Sequence, residues 1–345
     1  MKQIDNKFYS YIIPENYSTN LTKIELEEAI YYSLHVFEKY LKKNLNLYKI
    51  RSPIFLPSNT LINDGLNGEK PVYFKTKTEE KFELVHSLAK WKRIQLNKLN
   101  LNYYEGIVTN MKAIRREEFF DNIHSIFVDQ WDWELKIKEI DRNLETLKYI
   151  VKQIYEALKK TCIKIENKFN IKHELPNNIK FITTQELEYL YSNLTPKERE
   201  HEIARKYKAV CLIGIGYPLK LSSKPHDNRA SDYDDWSTKI NHHGIETYGL
   251  NCDILLYNEI LDQSLEISSM GIRVNSEALK KQNQVLNNTE YINSVLNDTI
   301  SQSIGGGIGQ SRLVMWLLQK CHIGEVQVSN WPNKEWLLKN NVNIL

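Results

Sequence analysis

One glycine-rich segment near the carboxyl-terminal end, residues 304–313, constrains the fold of this chain more than any other part of its sequence. Its sequence is Ile-Gly-Gly-Gly-Ile-Gly-Gln-Ser-Arg-Leu, and it continues directly into the apolar residues 314–318. Glycines allow a backbone to approach a ligand closely, and a helix that begins there presents unpaired N–H groups and the positive end of its dipole. The segment is therefore a candidate nucleotide-binding element.

Two familiar nucleotide-binding motifs do not fit this segment. A P-loop requires Gly-Lys-Ser or Gly-Lys-Thr, whereas Gln310, Ser311 and Arg312 follow the glycines. A Rossmann fingerprint opens a βαβ unit with an acidic residue about twenty positions further on, whereas this segment lies close to the C-terminus. What remains is Gly307-x-Gly309-x-x-Arg312, a strand-to-helix turn that places a permanently charged, planar guanidinium one turn into a helix. A tight turn with a surface arginine is the competing interpretation.

The composition is that of an ordinary globular protein. With 345 residues, of which 41% are apolar, the chain can bury a substantial core. We expect a single catalytic domain over residues 22–345, preceded by a loose N-terminal arm over residues 1–21, which show little periodicity. The 46 basic and 43 acidic residues leave a formal charge of +3, which gives no electrostatic case for nucleic acid as a partner.

The cysteines and the apolar runs indicate where such a protein works. The four cysteines are far apart and include no C-x-x-C pair, so we expect neither a zinc site nor a disulfide framework. The residues after Met1 lack an apolar signal core, and no apolar run is long enough to span a bilayer. We therefore expect a cytoplasmic protein that does not enter a membrane.

Helix and strand patterns follow one another irregularly along the chain. Thr22 and Glu25 form a capping-box pattern before a long amphipathic helix, and Pro196 suits the first turn of another helix. We further predict a helix over residues 141–169, strands over residues 107–114, 123–135, 209–215 and 253–257, and an extended edge segment over residues 50–56 that contains Pro53. Because these elements lack a strict βαβ rhythm, the sequence predicts an α+β fold with a mainly antiparallel sheet.

One predicted strand carries an unusual row of polar side chains. Side chains alternate along a strand, so Gln130, Asp132 and Glu134 share one face. Trp131 and Trp133 share the other face and suit a core. A polar row that faces the inside of a protein is costly unless something binds there. The alternative is a strand whose polar face meets solvent.

Two further groups of charged residues suit a nucleotide and its metal ion. Arg115 and Arg116 precede the polar strand on a loop, and arginine is suited to bidentate recognition of phosphate, with a solvated turn as the alternative. Asp253 and Glu266 lie on neighbouring predicted strands, where their oxygens suit Mg²⁺ held jointly with substrate phosphates. Arg273 ends the second of these strands and is placed to face an anionic group. Taken singly, each is equally compatible with an ordinary strand-end charge.

The segment 226–237 and the histidines complete the set of candidate residues. The segment contains four aspartates, an arginine and aromatic residues, which favours polar recognition or cation binding over an acidic surface loop. His242 and His243 are adjacent, so we interpret them as loop residues without a metal signature. Ser87 follows His86 but has no partnered histidine and aspartate at a recognisable spacing, which argues against a hydrolase triad.

Taken in order, these blocks resemble a known architecture. A proline-bearing extended segment, an arginine loop before a Gln-x-Asp-x-Glu strand, a glutamate strand ending in arginine and a Gly-x-Gly-x-x-Arg turn resemble the three motifs of class II aminoacyl-tRNA synthetases. The closest similarity is to the ammonia-dependent asparagine synthetase family, in segments 86–93, 128–134, 232–238, 268–273 and 304–313. The resemblance runs from about Glu25 to the C-terminus.

The resemblance implies a fold, an assembly and a reaction. The fold would be a class II synthetase-like core with a mainly antiparallel sheet of roughly six to eight strands flanked by helices. Two copies would form a homodimer joined partly through the Pro53 segment. Aspartate and Mg-ATP would give β-aspartyl-AMP and pyrophosphate, and ammonia would then displace AMP to give asparagine. The implied cofactors are therefore ATP and Mg²⁺, and the implied substrates are L-aspartate, ammonia and ATP.

The same resemblance assigns roles to individual residues, grouped by the part of the substrates that each would contact. Arg115, Glu266, Gly307, Gly309 and Arg312 would bind ATP; Asp253 and Glu266 would hold Mg²⁺; Lys92 and Arg273 would bind the substrate carboxylate; Ser87 and Asp132 would take the α-amino group; Arg229, Asp232 and Asp234 would belong to a substrate-closing loop. Asp64, Arg115 and Gln130 would act at the reacting atoms, and Asp64 would bind ammonium and accept its proton.

The sequence departs from the family pattern in three places. The N-terminal arm is longer than usual, and residues 58–63 lack the glycines that the family has before the position of Asp64. The loop over residues 115–122 is shorter than usual, which leaves open whether Glu117 or Glu118 is its acidic residue.

Two other functions compete with this interpretation. An aspartyl- or asparaginyl-tRNA synthetase would use the same kind of adenylate, but the residues before Pro53 leave no room for its anticodon-binding barrel. A catalytically silent paralogue that senses an amino acid would have lost motif arginines or metal carboxylates, whereas Arg115, Arg312, Asp253 and Glu266 are all present. We also expect ammonium rather than glutamine as the nitrogen donor, because no nucleophilic cysteine follows the first residue.

Overall fold

The computed structural model describes residues 1–19, 21–64 and 69–345 of the chain. In these residues the strands are β1 Lys2–Asp5, β2 Ser10–Ile13, β3 Leu47–Lys49, β4 Phe55–Pro57, β5 Tyr73–Lys75, β6 Lys81–Leu84, β7 Gly106–Ile114, β8 Phe127–Lys136, β9 Lys180–Thr183, β10 Ala209–Ile213, β11 Lys239–His242, β12 Ile245–Tyr248, β13 Asn251–Asn258, β14 Gln263–Ile272 and β15 Ser303–Gly309. The α-helices are α1 Lys23–Leu45, α2 Ala89–Lys98, α3 Leu144–Phe169, α4 Thr184–Leu190, α5 Pro196–Tyr207, α6 Ser276–Gln282, α7 Glu290–Leu296, α8 Gln310–Leu317 and α9 Lys334–Lys339.

An eight-stranded sheet in the order β3-β7-β8-β15-β14-β13-β10-β9 organises the described part of the chain. Its two outer pairs, β3 with β7 and β9 with β10, are parallel, and the five pairs between them are antiparallel. The predicted α+β fold with a mainly antiparallel sheet is therefore confirmed. The glycine segment forms β15, at the centre of this sheet, between β8 and β14.

One face of the main sheet is covered by helices. Side chains of α1, α3 and α8 pack with Trp131 and Trp133 of β8 in the largest hydrophobic cluster, and the ring of Phe37 lies 4.8 Å from that of Trp131. The predicted tryptophan core face is confirmed, which leaves the polar side chains of β8 on the opposite face. The helix starts are also as predicted, with a capping box between Thr22 and Glu25 and with Pro196 in the first turn of α5.

The N-terminal residues are not the loose arm that their weak periodicity suggested. They form the antiparallel hairpin β1–β2, in which Tyr11 is fully buried. Tyr11 packs with the C-terminal residues around Trp331, and the hydroxyl of Tyr17 donates to Glu325 at 2.7 Å. Strands of four residues are too short to show a clear periodicity in a sequence. Their buried partners also lie at the far end of the chain. The domain boundary between residues 21 and 22 remains a prediction.

A second, three-stranded sheet in the order β4-β6-β5 follows the predicted proline segment. Its rings of Phe55, Phe74 and Phe82 contact one another with centroids 5.4 to 5.8 Å apart. Phe55 is 41% exposed, which is unusual for a large apolar side chain in a contact cluster. This surface is compatible with the subunit contact expected near Pro53, which remains a prediction.

The β11–β12 hairpin corrects the interpretation of the adjacent histidines. His242 ends β11 and His243 begins the turn with a φ of 50°, so their rings lie side by side at 3.9 Å. Both rings contact the carboxylate of Glu186 on α4. The interpretation of His242 as a loop residue is therefore wrong, since it belongs to β11, whereas His243 lies in the turn. The sequence interpretation also did not anticipate that these residues and Glu186 are arranged as potential metal ligands. It failed because a left-handed turn residue brings successive side chains to one side, whereas a strand alternates them.

None of the helices in the described residues combines the length and apolar character that crossing a bilayer requires.

Candidate active site

The polar face of the main sheet forms the floor of a cavity of about 860 Å³. Every site residue that the sequence predicted lines this cavity: Asp64, Ser87, Lys92, Arg115, Gln130, Asp132, Arg229, Asp232, Asp234, Asp253, Glu266, Arg273, Gly307, Gly309 and Arg312. These residues come from four strands, two helices and five loops that are far apart in the sequence. The structure thus brings them to one place, while their chemical roles remain predictions.

The centre of the floor shows why β15 is rich in glycine. A Cβ on Gly307 would lie 2.3 Å from Oε1 of Gln130, and a Cβ on Gly305 would lie 1.8 Å from Oε2 of Glu134. Glycines at these positions therefore let side chains of β8 lie across the neighbouring strand. None of the glycines in β15 has a positive φ, so they are required for space and not for an unusual backbone conformation.

A lysine from α2 reaches the same floor. Nζ of Lys92 forms an ion pair with Asp132 and donates to the carbonyl oxygen of Gly306 at 2.9 Å. Oδ2 of Asp132 is buried and has no hydrogen-bond partner among the described residues. A buried acceptor without a donor is costly, so Asp132 presents an unused binding position for an N–H group.

Two arginines face one end of the cavity. Arg115 follows β7, and Arg312 is the third residue of α8, as the Gly-x-Gly-x-x-Arg pattern predicted. Arg312 donates only to backbone carbonyl oxygens, at 3.2 and 3.4 Å, and Nε of Arg115 is buried without a partner among the described residues. Burial and the nearby Arg312 lower the pKa of Arg115. Two guanidinium groups that lack an ion-pair partner in the described structure form a suitable site for a polyanion.

The positions of Glu117 and Glu118 distinguish the two candidate acidic residues of the arginine loop. Arg116 and Glu117 are exposed and pair with each other at 3.1 Å, away from the cavity. Glu118 lines the cavity beside Arg115. Glu118 is therefore the acidic residue of this loop that lies in the site.

Carboxylates from β13 and β14 gather at the end of the cavity close to the arginines. Burial, together with the carboxylates of Glu266 and Glu200, raises the pKa of Asp253 to about 7, although Arg229 lowers it. Arg229 pairs with Asp253 at 3.0 Å. A buried carboxylate beside other carboxylates favours a bound cation, and oxygen ligands of this kind suit Mg²⁺. Asp253 and Glu266 therefore fit the predicted metal ion.

A buried ionic network holds the segment 226–238 against the sheet. Arg273 pairs with Glu134 at 2.8 Å and with Asp234, and Arg229 pairs with Asp234 at 3.2 Å. Although burial raises the pKa of Glu134, the Arg273 guanidinium brings it below its ordinary value. Ser303 also donates to Glu134, at 2.6 Å. The network fixes Arg273 at the edge of the cavity.

The sequence did not indicate the role of Lys90, which lies next to the cavity and pairs with two of its residues. Lys90 on α2 is almost fully buried and forms ion pairs with both Asp64 and Asp232, which come from separate loops. Burial raises the pKa of Asp64 to about 7 even though Lys90 lowers it, and Oδ2 of Asp64 has no partner among the described residues. The available signal was that residues 87–104 contain several basic residues and no acidic one, so their counter-charges had to come from elsewhere.

Comparison with known proteins agrees with this geometry. The sequence profile of the aspartate-ammonia ligase family matches residues 24–342. The chain belongs to the aspartate-ammonia ligase family. Curated relatives of that name include a protein of Lactobacillus johnsonii, 47% identical over 93% of this chain and 95% of the relative, and one of Clostridium tetani, 47% identical over 94% of each. The predicted enzyme class, an aspartate–ammonia ligase, is thereby confirmed at the level of the family.

Solved structures show how this ligase family is related in fold. Asparaginyl-tRNA synthetase of Entamoeba histolytica in complex with asparaginyl-adenylate aligns with a TM-score of 0.63 at 16% identity, over 88% of this chain and 66% of that one. The asparaginyl-tRNA synthetase of Pyrococcus horikoshii, complexed with the same adenylate, aligns with a TM-score of 0.58 at 14% identity over 88% and 68%. At such identities the likeness shows the fold alone, which is the predicted class II synthetase core.

Proposed function

We propose that this enzyme makes L-asparagine from L-aspartate, ammonia and ATP through a β-aspartyl-AMP intermediate, releasing pyrophosphate and AMP. The observation that supports this most is that a single cavity combines three features. They are guanidinium groups that pair with no anion among the described residues, clustered carboxylates, and buried carboxylate oxygens that lack a donor in the same part of the chain. These three features suit a polyphosphate, a divalent cation and an ammonium-bearing substrate respectively.

The arginine end suits the triphosphate. Arg115 and Arg312 would neutralise the charge that builds up when the aspartate β-carboxylate attacks the α-phosphorus and pyrophosphate leaves. Arg312 lies in the first turn of α8, so the positive end of the helix dipole acts at the same place. Gly307 and Gly309 would allow the nucleotide to approach β15.

The carboxylates beside the two arginines suit Mg²⁺, which would be held by Asp253 and Glu266. When bound, this ion supplies positive charge to the phosphate oxygens of ATP. The residues of the chain must then rearrange one contact, since Arg229 pairs with Asp253 in the described structure. We infer that Arg229 retains Asp234 and the Ser269 hydroxyl, to which it donates at 2.6 Å, as its partners.

The floor suits aspartate. Lys92 and Arg273 would bind carboxylate, and Ser87 and Asp132 would take the α-amino group. The free Oδ2 of Asp132 supports this assignment, because an ammonium group would supply the donor that this oxygen lacks. Gln130 lies beside Gly307, where its amide would contact the reacting β-carboxyl group.

The second step needs ammonia close to the acyl carbon. Asp64 has a free Oδ2 and a pKa raised to about 7 by burial, so it is suited both to bind ammonium and to accept its proton. The resulting ammonia would attack the acyl carbon and expel AMP. Asp232 and Asp234, on the segment that covers the cavity, would help to close the site.

We further propose that the enzyme works as a homodimer in the cytoplasm. The test of the function is to follow AMP, pyrophosphate and asparagine in purified protein supplied with ATP, Mg²⁺ and aspartate, with ammonium or glutamine as donor. We expect continuous formation of all three products with ammonium. With glutamine we expect no asparagine and no AMP, and at most one equivalent of pyrophosphate per active site, because pyrophosphate leaves in the first step. Equal turnover with glutamine would contradict the proposal, and aminoacylated product on adding tRNA would favour the synthetase alternative.

A further inference from the structure

A second cluster of potential ligands lies outside the active-site cavity, at the turn of the β11–β12 hairpin. The turn residues are His243 and Gly244, with φ values of 50° and 83°. Two-residue hairpin turns of this kind require a positive φ at both positions and usually contain Asn-Gly. A histidine tolerates this conformation better than most residues do, but it is not the residue that the turn itself favours.

The consequence of this turn is a convergence of three side chains. Nδ1 of His242 lies 2.7 Å from Oε2 of Glu186, and Nδ1 of His243 lies 3.2 Å from Oε1 of the same carboxylate. One potential ligand atom from each residue lies within 4.8 Å of the other two. Two ligands of a tetrahedral zinc ion are about 3.3 Å apart, so small side-chain rotations suffice to seat an ion.

The two oxygens of Glu186 have different surroundings. Oε2 accepts from the backbone N–H and the hydroxyl of Thr183 in the capping box of α4, in addition to its contact with His242. Among the described residues, Oε1 contacts only the exposed His243. One oxygen therefore serves the helix cap, while the other is available for an ion at the surface.

The charge states of His242 and Glu186 suit metal binding. Burial lowers the pKa of His242, so its ring is neutral at neutral pH, as a metal ligand must be. Although burial raises the pKa of Glu186, hydrogen bonds from Thr183 and His242 bring it below its ordinary value, so the carboxylate is ionised. The single carboxylate would partly neutralise a dication bound here, whereas the nearby Lys148 would repel it.

We propose that Glu186, His242 and His243 form a binding site for a transition-metal dication such as Zn²⁺, with water in the remaining position. Two imidazole nitrogens and one carboxylate oxygen suit zinc and disfavour Mg²⁺, which prefers oxygen ligands. None of the three residues lines the active-site cavity. The site is therefore distinct from the magnesium position proposed above and does not depend on it.

The proposed metal site connects two parts of the chain that flank the segment 226–238, which covers the active-site cavity. Residues of α4 hold the segment before this loop, since Thr184 donates to the carbonyl oxygen of Gly214 at 2.6 Å and Glu188 accepts from the backbone of Ser222 at 2.9 Å. The β11–β12 hairpin directly follows the loop. An ion between Glu186 and the histidines would fasten both ends of the loop to each other, which is a structural role.

The test is a titration of untagged, metal-stripped protein with Zn²⁺ or Co²⁺ in the presence of excess Mg²⁺. We expect one equivalent to bind, visible-region cobalt bands typical of a low-symmetry site, and a rise in the thermal unfolding midpoint. His243→Asn retains a residue that accepts the turn and removes one ligand, so it should weaken binding by roughly tenfold or more. His35→Asn, which removes an exposed histidine from α1, is the matched control and should bind like the parent.

A second variant covers the case in which His243→Asn folds poorly. Glu186→Gln retains a capping-box side chain but removes the charge, and it should also lose the metal-dependent rise in unfolding midpoint. Absence of binding in the parent protein, or binding that both variants retain, would overturn the proposal. Neither readout uses asparagine synthesis, so failure here leaves the proposed function untouched.

Discussion

Arg312→Ala should lower activity strongly while changing the free energy of unfolding only slightly. In the described structure Arg312 donates to two backbone carbonyl oxygens, at 3.2 and 3.4 Å, and forms no ion pair with a described residue. Each such hydrogen bond contributes about 1 kcal/mol, and both are at the long end of the normal range. Arg312 also repels Arg115, since it lowers the pKa of that residue. Removing the repulsion offsets part of the loss, so we expect the free energy of unfolding to change by about 1 kcal/mol or less.

The expected effect on catalysis is much larger. A guanidinium aimed at a transferring phosphoryl group typically contributes about 10³-fold or more in rate, which is about 4 kcal/mol of transition-state stabilisation. Arg115 remains in the variant and retains part of this effect. We therefore predict a fall of about 10³-fold in kcat/KM for ATP, with aspartate binding nearly unchanged.

The assay is pyrophosphate release at saturating aspartate and ammonium, together with urea unfolding of the same preparations. Arg116→Ala is the matched control, because Arg116 is exposed, pairs only with Glu117 and lies outside the cavity. It should retain nearly full activity. An Arg312→Ala variant that keeps more than about a tenth of the parent activity would refute this prediction. A fall of more than about 3 kcal/mol in its free energy of unfolding would also refute it, because loss of structure would then explain the loss of activity.

Three further substitutions test other parts of the site. Arg273→Met should lower the free energy of unfolding by about 3–5 kcal/mol, because it leaves the buried Glu134 without its ion-pair partner, whereas Asp234 keeps Arg229. A urea-measured loss below about 1 kcal/mol would argue against that role. Gly307→Ala should reduce kcat by roughly tenfold or more with little change in the free energy of unfolding. The new Cβ would lie 2.3 Å from Oε1 of Gln130 and displace its amide. An unchanged kcat would count against a role of Gln130 at the reacting atoms. Lys90→Met should raise the pKa of Asp64 above about 7. Because Asp64 must be ionised to hold ammonium, the acid limb of the pH profile for ammonium should move to higher pH, and Lys90→Arg should restore it; an unmoved limb in Lys90→Met would reject this role.

The convergence of the site could be predicted because its residues belong to patterns that specify direction. The alternation in β8 sends Gln130 and Asp132 to the face opposite Trp131. The Gly-x-Gly-x-x-Arg pattern places Arg312 one turn into α8. In both cases local geometry alone fixes where the side chain points, so the sequence was sufficient.

The purpose of the glycine run was predicted only in part. The sequence indicated close approach to a ligand, whereas the structure shows a second reason, since β15 lies between two strands and its neighbour β8 places Gln130 and Glu134 across it. Which strand lies beside β15 depends on the topology of the whole sheet. A sequence segment does not contain that information.

Lys90 and the N-terminal hairpin could not be predicted for a related reason. Lys90 has its counter-charges at Asp64 and Asp232, and Tyr11 has its packing partners near Trp331. Such contacts join residues that are distant in sequence and leave no periodic signal near either partner. The prediction for the adjacent histidines failed for a different reason, because the conformation of a single turn residue decides where their rings point.

The central claim is that aspartate is activated as an acyl adenylate, and oxygen transfer tests it most directly. Aspartate labelled with ¹⁸O in its β-carboxylate is converted with ATP, Mg²⁺ and ammonium, and the products are analysed by mass spectrometry. In the proposed reaction a carboxylate oxygen bonds to the α-phosphorus, pyrophosphate leaves, and ammonia then breaks the bond between the acyl carbon and that oxygen. We predict AMP that carries one labelled oxygen, in amounts equal to asparagine, and unlabelled pyrophosphate. ADP with labelled phosphate, or AMP without label, would contradict the account.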